Sequence, residues 1–519
     1  MNLVIVHYHL RPGGIRRVIE LATPHLLREL RDVTTVTLAC GEAGDEKWLR
    51  QFAELISPAR LQVHVEKAFN YFSEQKIAPQ KIRQRLRLAL EKLFTGSEHA
   101  KHLVWAHNLA IGRNLLLSQE LARTCAARGI TLVSHHHDLW FDNRWRRWPE
   151  IRCSGFRNLT DVANTTFPAH PDLRHAGINS EDASVFQKYF GPVAALLPNP
   201  VPRQRPPRPA AVRAAHQWLE RTLREHDAPV WILPCRLLRR KNVAEALLLT
   251  HWLRPEAWLI TTGSASSADE LPYFQKLERT AHQHHYRLRL GVLQGDETSR
   301  PSVAELMAAS ETVLLTSLQE GFGLPYLEAA AARRPLIARN LPNVAPDLRR
   351  FGFRLPQTYD EIRIATDLFD WKAERARQQK MFTRWRQQLP TTLRKSVATP
   401  IVLESTEPAS VPFSRLTLTA QLEVLAQPRA LSWERCAPLN PFLHDWQKRA
   451  ATGKLRVTPW PATADNWLSG ATYAKTFVRL VQATPRPTPA QTPLHIQTEL
   501  VGEKLCAANL YPLLWAAAS

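Results

Sequence analysis

The chain has 519 residues, 44% hydrophobic and 22% charged, which is enough for two or three domains with large cores. It has no apolar run of about 18 residues, so no membrane-spanning helix is expected. Its 68 basic residues against 47 acidic ones leave a net charge of +21. Such a surface can meet nucleic acid, an anionic membrane face or a phosphorylated substrate. The sequence opens on the apolar strand pattern Leu3-Val4-Ile5-Val6, with no secretory n-region, h-region and cleavage site, and a cytoplasmic protein is expected. The six cysteines are scattered with no CxxC pair, which favours reduced thiols over disulfides.

Residues 1–197 alternate strand and helix patterns. Strands are expected at 3–7, 34–39, 61–65, 102–106, 131–134 and 194–197, with helices such as 15–30 and 112–128 between them. Pro12-Gly13-Gly14 follows the first strand and opens a helix. Glycine there permits close backbone approach, and a helix N-terminus favours an anion. The pattern across 76–92 carries Lys81, Arg83, Arg85 and Arg87, either a solvated helix face or a surface for anionic lipid. Trp105-Ala106-His107-Asn108 ends one strand and Ser134-His135-His136-His137-Asp138 ends the next. Strand neighbours point to opposite faces, so at most two of the three consecutive histidines converge, and no metal site is expected. Trp140, Phe141, Arg144, Trp145, Arg146, Arg147 and Trp148 follow. Aromatics suit sugar faces and arginines suit phosphate or carboxylate, so this segment reads equally as a lid over a ligand or as packing of a long loop.

Proline density at 198–209 breaks regular structure and reads as an interdomain linker. Residues 210–390 alternate again, with strands expected at 229–233, 257–262, 287–290, 312–316 and 336–338. The basic loop Cys235-Arg236-Leu237-Leu238-Arg239-Arg240-Lys241-Asn242 follows the first of these, and Gly263-Ser264 follows the second. Between the last two lies Glu320-Gly321-Phe322-Gly323-Leu324-Pro325-Tyr326-Leu327-Glu328. Its glycines allow backbone N–H groups to approach a ligand, and the following helix points its positive end at the same place. Glu320 in the loop suits sugar hydroxyls, and Glu328, about two turns into the helix, suits a ribose. Residues 391–519 lose the alternation. One amphipathic helix is expected at 413–425 and a flexible spacer at 484–489. Trp433, Trp446, Trp460, Trp467 and Trp515 argue against disorder in this extension.

The EGFGLPYLEA string resembles the E-x7-E signature of retaining GT-B glycosyltransferases, family 4-like (glycosyl transferases group 1). The loop at 235–242 is similar to that family's GRLxxxKN loop, with Cys235 where glycine is usual. The resemblance covers about residues 1–350, more firmly from 190 onward. It implies an α/β GT-B fold: an N-terminal Rossmann-like lobe at 1–197 for the acceptor, the linker at 198–209, a donor lobe at 210–390 facing it across a cleft, and the extension at 391–519. It implies transfer of a hexose from a UDP- or GDP-linked sugar, with retention, to a glycan, lipid-linked or small-molecule hydroxyl. Arg236 and Lys241 match the pair that neutralises the donor diphosphate. Gly13, Gly14, Gly263, Phe322, Gly323, Leu324 and Glu328 also fall to the donor, with Arg239 and Arg240 facing solvent or the acceptor.

His137 matches the catalytic histidine, with His135 the second choice of register, and Glu320 acts beside it. His107 is left to contact the acceptor or cap the helix at Gly112, with Arg144 and Trp145 further acceptor residues. No cofactor or metal is implied, and the partners are a nucleotide sugar and an anionic or glycan acceptor. Nucleic acid is not expected, while peripheral contact with the inner membrane face is compatible with the charge. A GT-B phosphorylase, a sugar-nucleotide epimerase and a basic scaffold for nucleic acid or membrane are the alternatives. The scaffold leaves the Glu320–Glu328 and Arg236–Lys241 pairs without a purpose.

Overall fold

Leu3, Val4, Ile5 and Val6 are each at most 1% exposed, as expected of a central parallel strand covered on both faces. The computed structural model describes residues 1–95, 101–142, 147–203, 205–265, 267–295, 300–404, 406 and 408–515. The chain divides into two units. The first holds 1–202, 388–396 and 463–505; the second holds 203–387, 397–462 and 506–519.

Seven parallel strands build the first unit: β1 (Asn2–Val6), β2 (Thr35–Cys40), β3 (Arg60–Val65), β4 (His102–His107), β5 (Thr131–His136), β6 (Leu173–Gly177) and β7 (Ala194–Leu196). Their spatial order is β3-β2-β1-β4-β5-β6-β7, so the chain reverses its direction of growth between β1 and β4. Ligands of open parallel sheets bind outside the strand C-termini at that reversal. The second unit has β8 (Val230–Leu233), β9 (Trp258–Thr261), β10 (Leu288–Arg289), β11 (Thr312–Leu315), β12 (Leu336–Arg339) and β13 (Gln357–Tyr359), in the order β10-β9-β8-β11-β12-β13. Its reversal falls between β8 and β11. A small antiparallel pair, β14 (Arg363–Ala365) with β15 (Ser410–Pro412), completes it. Both sheets are of the expected Rossmann-like kind. Strands β6 and β13, absent from the expectation, are short and carry Arg174, His175 and Gln357, which blur their apolar pattern.

The segment after 390 is shared out between the two units. Helix Gly470–Gln482 packs along helix Gly14–Glu29 in the first unit. It adds Tyr473, Ala474, Phe477 and Leu480 to the core around Trp105. The approach is close, since a Cβ on Gly470 would fall 2.2 Å from His25 Cδ2. Helix Thr492–Lys504 packs on helices Leu159–Thr166 and Ser180–Phe190. In the second unit, Phe413, Leu443, Trp446 and Leu513 join the core beneath β8. The expected helix at 413–425 is instead a short turn at Phe413–Arg415 and helix Leu418–Leu425, which begins where the Thr417 side chain caps it. Of the tail tryptophans, Trp446 joins the second core against Tyr359, and Trp515 packs against Phe382.

Candidate functional site

In the second unit the loop after β8 is stitched to the end of β11. Thr316 Oγ1 donates to the Lys241 and Asn242 carbonyls at 2.9 and 3.1 Å. Leu318 N donates to the Arg240 carbonyl at 2.7 Å. This delivers two cations to one carboxylate: Lys241 Nζ donates to Glu320 Oε1, and Arg240 Nη1 lies 3.0 Å from Oε2. Arg239 and Arg240, expected to face solvent or the acceptor, are instead both paired with carboxylates, although the Arg240 side chain remains 31% exposed. Arg240 is held by Glu320 and the Gln319 carbonyl, and Arg239 pairs with Glu270 at 3.2 Å. Burial alone would raise the Glu320 carboxyl, but Lys241 and Arg240 beside it hold it down at about 2. The group is an anion at any physiological pH. Arg236, by contrast, is exposed.

The glycines around this cluster are sterically required. Gly323 caps helix Leu324–Ala331 at φ 78°, and a Cβ there would fall 2.5 Å from Val344 Cγ1. Gly263 donates to the Cys235 carbonyl at 2.8 Å, and its Cβ would meet Arg236 Cα at 3.0 Å. The loops after β8, β9 and β11 thus pack at backbone level. Cys235 is buried within them and tolerated as a small side chain. Phe322 is half-buried and Leu324 is 38% exposed. Glu328 is the fifth residue of its helix, little more than one turn in rather than two. Burial raises its carboxyl, against the pull of Lys241.

In the first unit Gly13 and Gly14 lie exposed where helix Gly14–Glu29 begins. The nearest atom to a Cβ on Gly13 is 3.8 Å away, and a Cβ on Gly14 meets nothing within 4 Å. The fold itself does not require glycine here, unlike at Gly323. Across the reversal, His107 of β4 stands in register with His135 of β5. His135 and His137 share a face by strand alternation, while His136 turns the other way onto His175. His107 is wholly buried, with Nδ1 3.1 Å from His137 Nε2. It neither caps the helix near Gly112 nor stands free for an acceptor; the cap of that helix is Asn114. His135 is also wholly buried, its Nε2 3.1 Å from the Leu197 carbonyl. His137 retains 8% exposure. Burial, then the neighbouring imidazoles, holds His107 and His137 well below the usual histidine range.

Asn108 is the residue that sequence reasoning passed over. It adopts the left-handed conformation at φ 60°, and its Oδ1 accepts from the backbone N–H groups of His137 and Asp138, both at 2.9 Å. Asparagine tolerates that conformation, and its position directly after a strand was the available signal. Trp140 and Phe141 are fully buried and Trp148 nearly so, which makes them packing residues. Arg144 and Trp145 lie outside the described residues.

Residues 216–358 match the sequence model of the family described as "Glycosyl transferases group 1". Among curated proteins, mannosylglucosyl-3-phosphoglycerate synthase of Petrotoga mobilis is 22% identical over 350 residues, covering 66% of this chain and 65% of that protein. The chain thus spans just under two thirds of that relative's length. Among solved structures, Anabaena HepE in complex with UDP and glucose shows 15% identity and a TM-score of 0.45, over 66% of this chain and 82% of that one. The lipopolysaccharide outer core galactosyltransferase WaaB shows 12% identity and a TM-score of 0.48, over 93% and 99%. The chain carries a glycosyl transferases group 1 domain, and its two parallel α/β units give it the architecture of the GT-B fold.

Proposed function

We propose that this protein transfers a hexose from a nucleoside diphosphate sugar to a hydroxyl acceptor with retention at the anomeric carbon. The observation that carries this reading is the convergence of Lys241 and Arg240 on Glu320 at the sheet reversal of the group 1 domain. Two cations against one carboxylate leave a net positive centre, which suits a departing diphosphate. Arg236, exposed on the same loop, supplies a further guanidinium without giving up a partner. Glu320, held ionised, accepts from hydroxyls of the transferred sugar. Glu328, held toward its neutral form, can donate to or accept from the ribose.

In the first unit, the open backbone at Gly13 and Gly14 suits donor or acceptor oxygens. His137 is the better match for the catalytic histidine, because His135 is committed to the Leu197 carbonyl. A neutral imidazole hydrogen-bonds a sugar hydroxyl without placing a positive charge beside the cationic sugar carbon of the transition state. Its neutrality follows from burial. Retention requires the acceptor to attack from the face that the diphosphate leaves, so the leaving group's own oxygen can take the acceptor proton. The phosphoglycerate in the name of the Petrotoga relative, together with the +21 charge, supports an anionic acceptor.

The test is a thermal-shift panel of UDP, GDP, ADP and dTDP with their glucose and mannose sugars. One nucleotide should raise Tm, and Arg236→Ala should remove most of that rise without lowering the ligand-free Tm. No shift with any nucleotide would sink the donor-site assignment.

A further inference from the structure

The histidines at the end of β4 and β5 form a donor set of which the proposed transfer uses His137 alone. Ring nitrogens of His107, His135 and His137, one from each residue, all lie within 4.8 Å of one another. The ring centroids of His135 and His137 are 4.2 Å apart, and those of His107 and His137 are 5.3 Å apart. Neutral imidazole is polar, and burying three side by side costs free energy that one mutual hydrogen bond only partly offsets. His107 Nε2 is buried with no hydrogen-bond partner. Hydrogen bonding within the cluster is therefore not what the arrangement maximises.

His135 shows the outer-shell arrangement of a ligating histidine. The Leu197 carbonyl can only accept, so Nε2 carries the proton and Nδ1 accepts from the Tyr473 hydroxyl at 3.3 Å, a contact that an ion would replace. A backbone carbonyl fixing the tautomer is the usual companion of a metal-bound imidazole. The strands supply rigidity. His107 and His135 are registered partners of two central strands, and His137 is held by Asn108 through its backbone N–H.

We propose that His107, His135 and His137 bind one divalent transition-metal ion of the zinc class. Three imidazole nitrogens with no carboxylate favour Zn²⁺ or Co²⁺ over Mg²⁺ or Ca²⁺, which prefer oxygen. Nitrogens bound tetrahedrally at about 2.0–2.1 Å stand about 3.3 Å apart. The 3.1 Å pair of His107 Nδ1 and His137 Nε2 is already close to that spacing, and the third donor lies within 4.8 Å of both. Water or a substrate oxygen completes the tetrahedron. The ion takes the His137 nitrogen that faces His107, so zinc opposes transfer. That inhibition rests on the role proposed for His137, whereas binding of the ion does not.

The experiment is titration of the metal-free full-length protein with Co²⁺, followed by the visible absorption of tetrahedral cobalt, then displacement by Zn²⁺. One equivalent is expected, retained in His170→Ala and lost in His107→Leu and in His135→Leu. A wild-type protein that takes up no cobalt, or folded variants that bind as well as the parent, would overturn the proposal. Should the buried variants not fold, imidazole ¹⁵N shifts of the parent decide: those of the buried histidines must move with Zn²⁺, and unmoved shifts overturn it. Zinc that binds without slowing transfer would leave the site intact and count against the role of His137 alone.

Discussion

In the second unit three charged side chains meet, with buried Glu320 between buried Lys241 and half-buried Arg240. In the first unit the buried groups beside the sheet reversal include four imidazoles, His7, His107, His135 and His137, and no carboxylate is among the causes that set their protonation. Both groups sit where ligands of open parallel sheets bind, yet their electrostatics are opposite. Where opposite charges meet, the cations keep the carboxylate ionised, and Glu320 stays near 2. Where only like groups are buried, desolvation wins and the imidazoles stay neutral. A diphosphate calls for the first environment and a neutral sugar for the second.

The largest effect is expected from breaking the charged site. Lys241→Met should lower transfer about 10²–10³-fold, the usual loss for one electrostatic contact to a developing charge. The fold should survive, because Glu320 keeps Arg240. Glu320→Ala should also abolish transfer but destabilise by about 3–5 kcal/mol, since it strands a buried ammonium. Adding Lys241→Met to Glu320→Gln should restore Tm and leave activity absent. Recovery of activity in that double variant would remove the site from this loop.

Acid should separate the two units. The folded-state values of His7, His135 and His175 lie at about 3, 4 and 4, and those of His107, His136 and His137 well below 6.5. Below pH 6.5 the unfolded chain binds protons that these buried groups refuse. The first unit therefore loses stability as pH falls from 6.5 toward 4, by about 1.4 kcal/mol per pH unit for each fully shifted histidine. Glu320 is also depressed, but from 4.5, so its contribution is present above 4.5 and is lost only as pH falls toward 2. Hydrogen-exchange mass spectrometry at pH 5 should show peptides of 1–202 opening before those of 203–387. Simultaneous opening would mean that the histidines are not buried as neutral groups.

The second unit was the more legible in sequence because its chemistry is contiguous. A strand, a nine-residue motif and a helix place Glu320, Gly323 and Glu328 with no long-range contact needed. What was missed there was Arg240, because a run of three cations does not say which one turns inward. That depends on the loop's bonds to Thr316 and Leu318. The first unit was harder to read. The meeting of His107 with His135 and His137 depends on the register of two strands, and strand alternation within one segment does not supply it. The fate of residues after 390 was also hidden. Helix Gly470–Gln482 completes the first core, although 273 residues lie between β7 and that helix.

That dependence on the returning helix can be tested. Phe477 is fully buried, its ring centroid 5.8 Å from that of Trp105. Phe477→Ala should cost about 3–5 kcal/mol. The loss should fall on the first unit, with the thermal shift from the nucleotide kept. Loss of nucleotide binding together with stability would show that the units do not fold as separately as their cores suggest.

The smallest effect expected is at Asn108, and it concerns precision more than stability. Its Oδ1 accepts two backbone N–H groups, those of His137 and Asp138, while its own backbone sits in the left-handed region. Asn108→Ala leaves both donors without their acceptor and places alanine at φ 60°, for a loss of about 1–3 kcal/mol. Asn108→Asp keeps an acceptor and a residue that tolerates that conformation. If Asn108 holds the His137 segment for the reaction, kcat should fall in Asn108→Ala with donor affinity unchanged, and should largely return in Asn108→Asp. A kcat that falls equally in both would mean that the amide nitrogen, not the oxygen, matters at this position. A kcat unchanged in both would mean that the His137 backbone is held well enough by β5 alone.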